Sequence, residues 1–260
     1  MCYHQIREEL MEIRLIGTGT CVPRLKRRGP STLIREGGEV ILVDTGLGAL
    51  HGLLEAGVSH HEITHLLFTH LHPDHTAELL SFFFAANYDL NQRSANLKIV
   101  GGVGIGDFLE KFQKLYGHWV EPAKYNREVV ELSPWQGLKA GELIIEAGPA
   151  SHTPSSISFR VSSSSGVAVV LTGDSAYDAA IAKFARGADL LISDASFPEG
   201  AEGAGHMSSA ECALLAREAG AGALILNHIY PDAEEVDIPR LVDSAGCKVI
   251  LSEDGLSWEL

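Results

Sequence analysis

His70-Leu71-His72-Pro73-Asp74-His75 places four metal-capable side chains within six residues. Neutral imidazoles bind zinc and related divalent ions through a ring nitrogen, and a carboxylate adds charge and a second ligating oxygen. Alternate residues of a short loop point apart, so four ligands there do not converge easily on one tetrahedral ion. They suit two adjacent ions, with His70 and His72 on one and Asp74 and His75 on the other. Three further candidates each follow an apolar, strand-like run: His152 after 143–147, Asp174 after 167–171 and His228 after 223–227. A single histidine after a strand is more often structural than ligating. Three such residues at equivalent places, beside the loop, turn the reading toward a metal centre.

Elements must hold these residues in place. Residues 65–68 form an apolar strand that runs straight into the loop, and 76–87, rich in Leu and Phe, form the helix after it. Alternation, β-branched residues and Gly-marked turns predict further strands at 12–16, 31–35, 40–43, 97–100, 129–132, 143–147, 157–161, 167–171, 189–193, 223–227 and 248–251. Helices are expected at 47–56, 107–116, 179–185, 209–219 and 238–244. Glu36-Gly37-Gly38-Glu39 closes the first hairpin. Strands come in antiparallel runs and then alternate with helices, a mixture that predicts sheets covered by helices on their outer faces. The stretch 162–166 reads as a polar hairpin loop, no Pro/Gly/Ser-rich linker divides the chain, and no solenoid-type repeat is visible. Residues 1–260 are therefore expected to form one domain, with 1–11 as an N-terminal extension.

Composition narrows the function classes. Of 260 residues, 45% are apolar and 21% charged, which excludes a disordered, collagenous or coiled-coil chain. With 34 acidic and 20 basic residues, the formal net charge is −14, and such a body is a poor generic partner for nucleic acid or anionic lipid. Cys2, Cys21, Cys212 and Cys247 lie far apart and form no C-x-x-C pair, which suits reduced thiols in a cytoplasm. The opening residues carry Glu8, Glu9 and Glu12 and do not read as a signal peptide. Phe82-Phe83-Phe84-Ala85-Ala86 is far too short to span a bilayer. A cytoplasmic protein without membrane association is expected.

Thr69-His70-Leu71-His72-Pro73-Asp74-His75, followed in order by His152, Gly173-Asp174 and His228, resembles the metallo-β-lactamase superfamily. Val43-Asp44-Thr45-Gly46 matches the turn that precedes the motif in that superfamily. The resemblance covers residues 12–260 and implies an α/β fold, the four-layer αβ/βα sandwich of two mixed sheets with outer helices. It implies that His70, His72 and His152 bind one divalent ion, that Asp74, His75 and His228 bind a second, and that Asp174 bridges them. Zinc is the first expectation for both ions, with manganese or iron as alternatives. A hydroxide between ions ~3.5–4 Å apart is then the nucleophile, and Asp74 doubles as its base.

Within the superfamily the chain looks most like the ribonuclease Z and arylsulfatase-like branch. Ile16-Gly17-Thr18-Gly19-Thr20-Cys21-Val22-Pro23 resembles that branch's Gly-Thr-rich opening. Ser193-Asp194-Ala195-Ser196-Phe197 resembles its His-Glu-Ala-Thr-Phe box, and His206-Met207-Ser208 its His-Ser-Thr box. The branch implies that Asp194 orients His206, which protonates the leaving group. Here Asp194 replaces a Glu, so its reach to His206 is one methylene shorter. The tRNA-processing members carry a long basic arm between the residues matching His152 and Asp174. Here only 21 residues separate them, with one Arg among them. A small or medium phosphodiester is thus the expected substrate, and tRNA is disfavoured. Alternatives are hydrolysis of lactones, thioesters or sulfate esters on the same metals, tRNA 3′-processing as in ribonuclease Z, and a metal-bound binding module without turnover. A homodimer is compatible with the resemblance.

Other features carry less. Gly101-Gly102-Val103-Gly104-Ile105-Gly106 does not satisfy G-x-G-x-x-G and reads as a strand-to-helix turn. Arg24, Lys26, Arg27 and Arg28 form the one dense basic cluster, a solvated loop or a phosphate-contacting edge. Phe82-Phe83-Phe84 reads as core, with Phe84 and Tyr88 as candidate pocket walls. His4, His51, His60, His61, His65 and His118 have no partners in sequence and read as structural or solvated. No G-x-S-x-G elbow is present.

Overall fold

Leu66, Leu67 and Phe68 are consecutive and fully buried, yet they do not share one core. Successive side chains of a strand point to opposite faces. Leu67 packs inward with Val43, Val100 and Ile192, while Leu66 and Phe68 pack outward with Leu53, Phe82 and Phe83. A strand apolar on both faces must be covered on both, and this one condition builds the layers.

The computed structural model describes residues 10–198, 200 and 205–260. The first half runs β1 (Glu12–Gly17), β2 (Ser31–Glu36), β3 (Glu39–Val43), α1 (Ala49–Glu55), β4 (His65–Phe68), α2 (Pro73–Thr76), α3 (Leu79–Tyr88), β5 (Leu97–Gly101), α4 (Ile105–Tyr116) and β6 (Arg127–Glu131). The second half runs β7 (Gly137–Ala140), β8 (Leu143–Pro149), β9 (Ile157–Ser162), β10 (Ala168–Leu171), α5 (Ala179–Phe184), β11 (Leu190–Asp194), α6 (Ser209–Ala219), β12 (Ala223–Asn227), α7 (Ile238–Ala245), β13 (Lys248–Leu251) and β14 (Ser257–Glu259). Two seven-stranded sheets result, ordered β14-β1-β2-β3-β4-β5-β6 and β13-β12-β11-β10-β9-β8-β7. Each sheet is antiparallel at one side and parallel at the other, with β3 to β6 parallel in the first and β10 to β13 in the second. The inner faces meet in one core through Ile13, Ile34, Val43, Phe159, Val169 and Ile225. Helices α1, α3 and α4 cover the outer face of the first sheet, and α5, α6 and α7 that of the second. This is the four-layer αβ/βα sandwich of the metallo-β-lactamase fold.

Three local expectations are corrected. Residues 76–87 do not form one helix. The Glu78 N–H donates to Thr45 O (2.9 Å) instead of to the carbonyl four residues back, so the chain breaks between α2 and α3. The Glu78 carboxylate then accepts from the N–H groups of Gly48 and Leu50 at the start of α1, both at 2.9 Å. The short strands β7 and β14 carry weak sequence signals, because each sits at a sheet edge and pairs on one side only. Met11, expected within the N-terminal extension, is buried and exchanges backbone hydrogen bonds with Leu260. Residues 1–9, with Cys2 and His4, lie outside the described residues. Cys21, Cys212 and Cys247 are free thiols. Among the described residues no helix is long and apolar enough to cross a membrane.

Candidate metal centre

The parallel strands of both sheets end at one edge of the sandwich, and there the chain places its polar side chains. Asp44 follows β3, Thr69 and His70 follow β4, Asp174 follows β10, Asp194 ends β11 and His228 follows β12. Asp44 and His228 hold left-handed backbone conformations, with φ of 60° and 56°. Such conformations cost of order 1–3 kcal/mol in a non-glycine residue and persist where surrounding contacts enforce them. Gly173 meets the same demand without a side chain. At φ 59° a Cβ there would lie 2.6 Å from Thr69 Cβ, so only glycine lets the Thr172-Gly173-Asp174 turn approach the loop.

Asp174 is the hub, buried to 3% exposure. Its Oδ2 faces His70 Nε2 at 3.5 Å and His152 Nε2 at 3.8 Å. Its Oδ1 faces His75 Nε2 at 3.2 Å and His228 Nε2 at 3.5 Å. His72 Nδ1 lies 3.1 Å from His152 Nε2, and Asp74 Oδ2 lies 3.5 Å from His228 Nε2. The seven residues thus fall into two groups, His70-His72-His152 and Asp74-His75-His228, each presenting its donors to a different oxygen of Asp174. All seven sequence-predicted ligands are brought together.

Hydrogen bonds behind the rings set their tautomers. His75 Nδ1 donates to Asp44 Oδ2 (2.8 Å) and His152 Nδ1 to Gly205 O (2.9 Å). Thr69 Oγ1 gives its proton to Asp44 Oδ2 (2.8 Å), so it accepts from His70 Nδ1 (3.1 Å). Ser196 Oγ likewise donates to Asp194 Oδ1 and accepts from His228 Nδ1 (2.8 Å). In the neutral rings each Nδ1 is thereby the donor, and each Nε2 keeps a lone pair for the centre. This is the outer-shell arrangement of metal-ligating histidines.

The donor set fits a pair of divalent cations. His70 Nε2, His75 Nε2, His228 Nε2 and Asp174 Oδ1 are buried without hydrogen-bond partners. Polar atoms are rarely left so in a native interior unless something else satisfies them. Electrostatics agree. Burial pushes the His70 pKa down to about 2, which keeps that ring neutral. Burial alone would lower His75 and His228 as well, but the Asp174 carboxylate and its neighbours outweigh it. They hold His75 well above its ordinary value and lift His228 to about 10. Burial would raise Asp74, yet hydrogen bonding and charge from His228 bring it down to about 2. The carboxylates therefore hold positive charge at this spot, as protons on two rings or as cations that displace those protons.

Asp194 and His206 flank the cluster. Despite its shorter side chain, Asp194 reaches His206, with Nδ1 to Oδ2 at 2.8 Å, and His206 Nδ1 stands 4.0 Å from Asp174 Oδ2. Asp194 is buried and accepts further bonds from the N–H groups of Ser175 and Ser196, both at 3.1 Å. Burial pulls the His206 pKa down, but the Asp194 hydrogen bond and charge leave it raised. Roles for Asp44, Ser196 and the Gly205 carbonyl escaped the sequence reading. The turn and the box containing the first two were visible, but nothing in them states which ring nitrogen each would meet. Tyr230 is a further addition: its ring centre lies 5.9 Å from that of His228, and its hydroxyl is 3.3 Å from Cys21 Sγ.

A cavity of about 690 Å³ opens against Pro73 and Asp74, with Cys21, Arg24, Lys26 and Arg28 in its wall. Three of the basic residues are tethered. Arg24 and Arg27 share Glu234 at 2.8 and 2.9 Å, and Arg28 reaches Glu55 at 2.6 Å. These ion pairs anchor the segment, while Leu25 and Lys26 on it are exposed. Phe82 and Phe83 are core, whereas Phe84 is exposed and stacks on Tyr88 with ring centres 4.7 Å apart.

Residues 39–229 match the sequence description of the Beta-lactamase superfamily domain. The chain is 32% identical over 251 residues to Ribonuclease Z of Mycolicibacterium gilvum, covering 85% of each chain. The metallo-beta-lactamase fold protein YhfI from Bacillus subtilis superposes with a TM-score of 0.80 at 28% identity, over 97% of this chain and 100% of that one. Human tRNase Z, short form, superposes with a TM-score of 0.78 at 23% identity, over 95% and 98%, and at that identity the likeness is one of fold.

Proposed function

The chain belongs to the β-lactamase superfamily of metal-dependent hydrolases, and we propose that it cleaves a small or medium phosphodiester at the histidine–aspartate cluster. In this reading His70, His72 and His152 hold one divalent ion, Asp74, His75 and His228 hold a second, and Asp174 is shared. Bound there, two such ions, zinc before manganese or iron, bring the pKa of water toward neutrality and offset the charge of phosphoryl oxygens. Asp74 lines both the cluster and the 690 Å³ cavity, so its carboxylate stands where it can take a proton from an attacking water. The cavity volume lies within the range that holds small-molecule ligands, ≈ 300–1,000 Å³.

The observation that carries the phosphodiester reading is His206. Its Nδ1 is committed to buried Asp194, which leaves Nε2 as the nitrogen that can give a proton. An alkoxide leaving group needs that proton, whereas thiolates depart without it. A donor held this firmly beside Asp174 favours a phosphodiester over a thioester. Turnover of phosphate diesters, with little on thioesters, is the expected result; turnover confined to carbonyl substrates would replace this reading.

A second reading, tRNA 3′-processing, is favoured by the 32% identity to a protein named Ribonuclease Z. Against it stands the interval between His152 and Asp174, which holds only the hairpin of β9 and β10 with Arg160. Affinity for a phosphate backbone comes largely from Lys and Arg. Little or no cleavage of pre-tRNA at physiological salt is expected, and efficient 3′-end cleavage by the purified protein would establish the second reading.

A further inference from the structure

Away from the cluster, the loop before β4 meets the end of α3. His60 and His61 lie on that loop, and Asp89 is the residue that caps α3. One donor atom from each lies within 4.8 Å of the other two. His61 Nε2 stands 3.0 Å from Asp89 Oδ2, and the two imidazole centres are 4.0 Å apart with planes inclined by 38°.

We propose that His60, His61 and Asp89 form a separate site for one transition-metal ion of the zinc class, completed by water. Two observations support it. First, His60 Nε2 is buried with no hydrogen-bond partner, and such an atom calls for an occupant or an explanation. Second, the loop is held ready. Arg93 is 1% exposed, and its guanidinium donates to the backbone carbonyls of His60 (2.9 Å), His61 (3.2 Å), Ala95 (2.8 Å) and Asn96 (2.9 Å) and to that of Ile63. Arg93 opposes a cation by its charge, while the ionised Asp89 and the carbonyl end of α3 favour one. His61 is 26% and Asp89 40% exposed, so an ion can enter from solvent. Two imidazoles and one carboxylate select borderline divalent ions such as zinc, nickel or cobalt over magnesium or calcium.

The placement gives the site a consequence. The loop that contains His60 and His61 leads into β4, which Thr69 and His70 follow, and α3 begins four residues after His75. An ion joining loop and helix end would tie together both sides of the segment that carries His70 to His75. The site adds stability and takes no part in turnover.

The test counts ions in metal-loaded protein. Wild type, His61→Ala and Asp89→Asn are saturated with Zn²⁺, passed through a desalting column and analysed for zinc and protein. Wild type is expected to retain one more ion per chain than either variant, whatever number the central cluster holds. Zn²⁺ loading should raise Tm over chelator-treated protein by more in wild type than in either variant, while phosphodiester turnover stays unchanged. Equal zinc content in wild type and both variants, with the same Tm rise, would overturn the proposal. Should His61→Ala fail to fold, His61→Gln serves the same comparison, since it keeps a polar side chain and removes the imidazole.

Discussion

The two halves of the molecule reach the same edge by different means. The first half delivers His70, His72, Asp74 and His75 on one loop, clasped by reciprocal bonds from Thr45 N to His75 O (2.7 Å) and from Glu78 N to Thr45 O (2.9 Å). The second half delivers one residue per turn: His152 after β8, Asp174 after β10 and His228 after β12. Yet each half spends one buried strand-end carboxylate on orienting an imidazole. Asp44 holds His75 in the first half, and Asp194 holds His206 in the second, both at 2.8 Å. The loop is a local device whose spacing is written in consecutive residues. The strand-end set is a product of topology, since those residues meet only once β8, β10 and β12 lie in one sheet. The difference teaches that loss of one residue should spread through the first half and stay confined in the second, with Asp174 as the exception because it faces both groups.

Asp174→Ala is therefore expected to have the largest effect. It removes the one carboxylate whose two oxygens face four histidines and leaves their charge unbalanced. Turnover should fall below detection, and bound metal should drop from about two ions per chain. Elemental analysis with kinetics checks both. A variant that keeps two ions and wild-type turnover would mean that the two groups do not depend on a shared bridge.

Sequence reading captured much of this, for reasons visible in particular residues. The His70–His75 spacing is local and survives without a fold. The strand-end candidates His152, Asp174 and His228 were legible because the apolar runs before them mark where strands stop. What stayed hidden depends on distant partners. The break between α2 and α3 needs Thr45, thirty-odd residues earlier in the chain, to take the Glu78 N–H. Asp194 was read as one methylene short, but Phe197 bridges to Ser208 and its N–H donates to Met207 O (3.2 Å), which brings His206 back to a 2.8 Å contact with Asp194. Asp44 could be read as part of a turn, but its bond to His75 could not.

His206→Ala comes next in size and tests confinement in the second half. General acid catalysis contributes ~10²–10⁴-fold. A loss of that order in kcat is expected for a phosphodiester with an alkyl leaving group, and only a mild loss for a p-nitrophenyl ester, whose leaving group is stable as an anion. Metal content should be unchanged. Asp194→Ala should show the same preference between esters in weaker form, with some loss of metal affinity, because Asp194 also holds Ser196 behind His228. Equal losses on both esters, or loss of metal in His206→Ala, would assign His206 to substrate positioning or ion binding.

Asp44→Asn is the smallest change and probes the first half. Asparagine tolerates the left-handed conformation that Asp44 adopts at φ 60°, so the backbone can stay in place. The side chain cannot reproduce its bonds. Asp44 Oδ1 accepts from Thr69 N–H (2.9 Å), and Oδ2 accepts from both Thr69 Oγ1 and His75 Nδ1 (2.8 Å each). With the amide oxygen kept toward Thr69 N–H, the amide nitrogen replaces Oδ2 and presents protons to His75 Nδ1. The ring then favours the opposite tautomer, with its proton on Nε2, where the lone pair for the centre should be. Changes of this outer-shell kind typically cost 10–100-fold in metal affinity or activity. A loss of that order in metal affinity is expected, with equal kinetic penalties on alkyl and nitrophenyl esters, because no proton donor to the leaving group is touched. Competition with a chelator measures the affinity. If Asp44→Asn binds metal like wild type and instead discriminates between the esters, the two carboxylates do not divide their work between ion and leaving group, and the contrast between the halves fails at its central point.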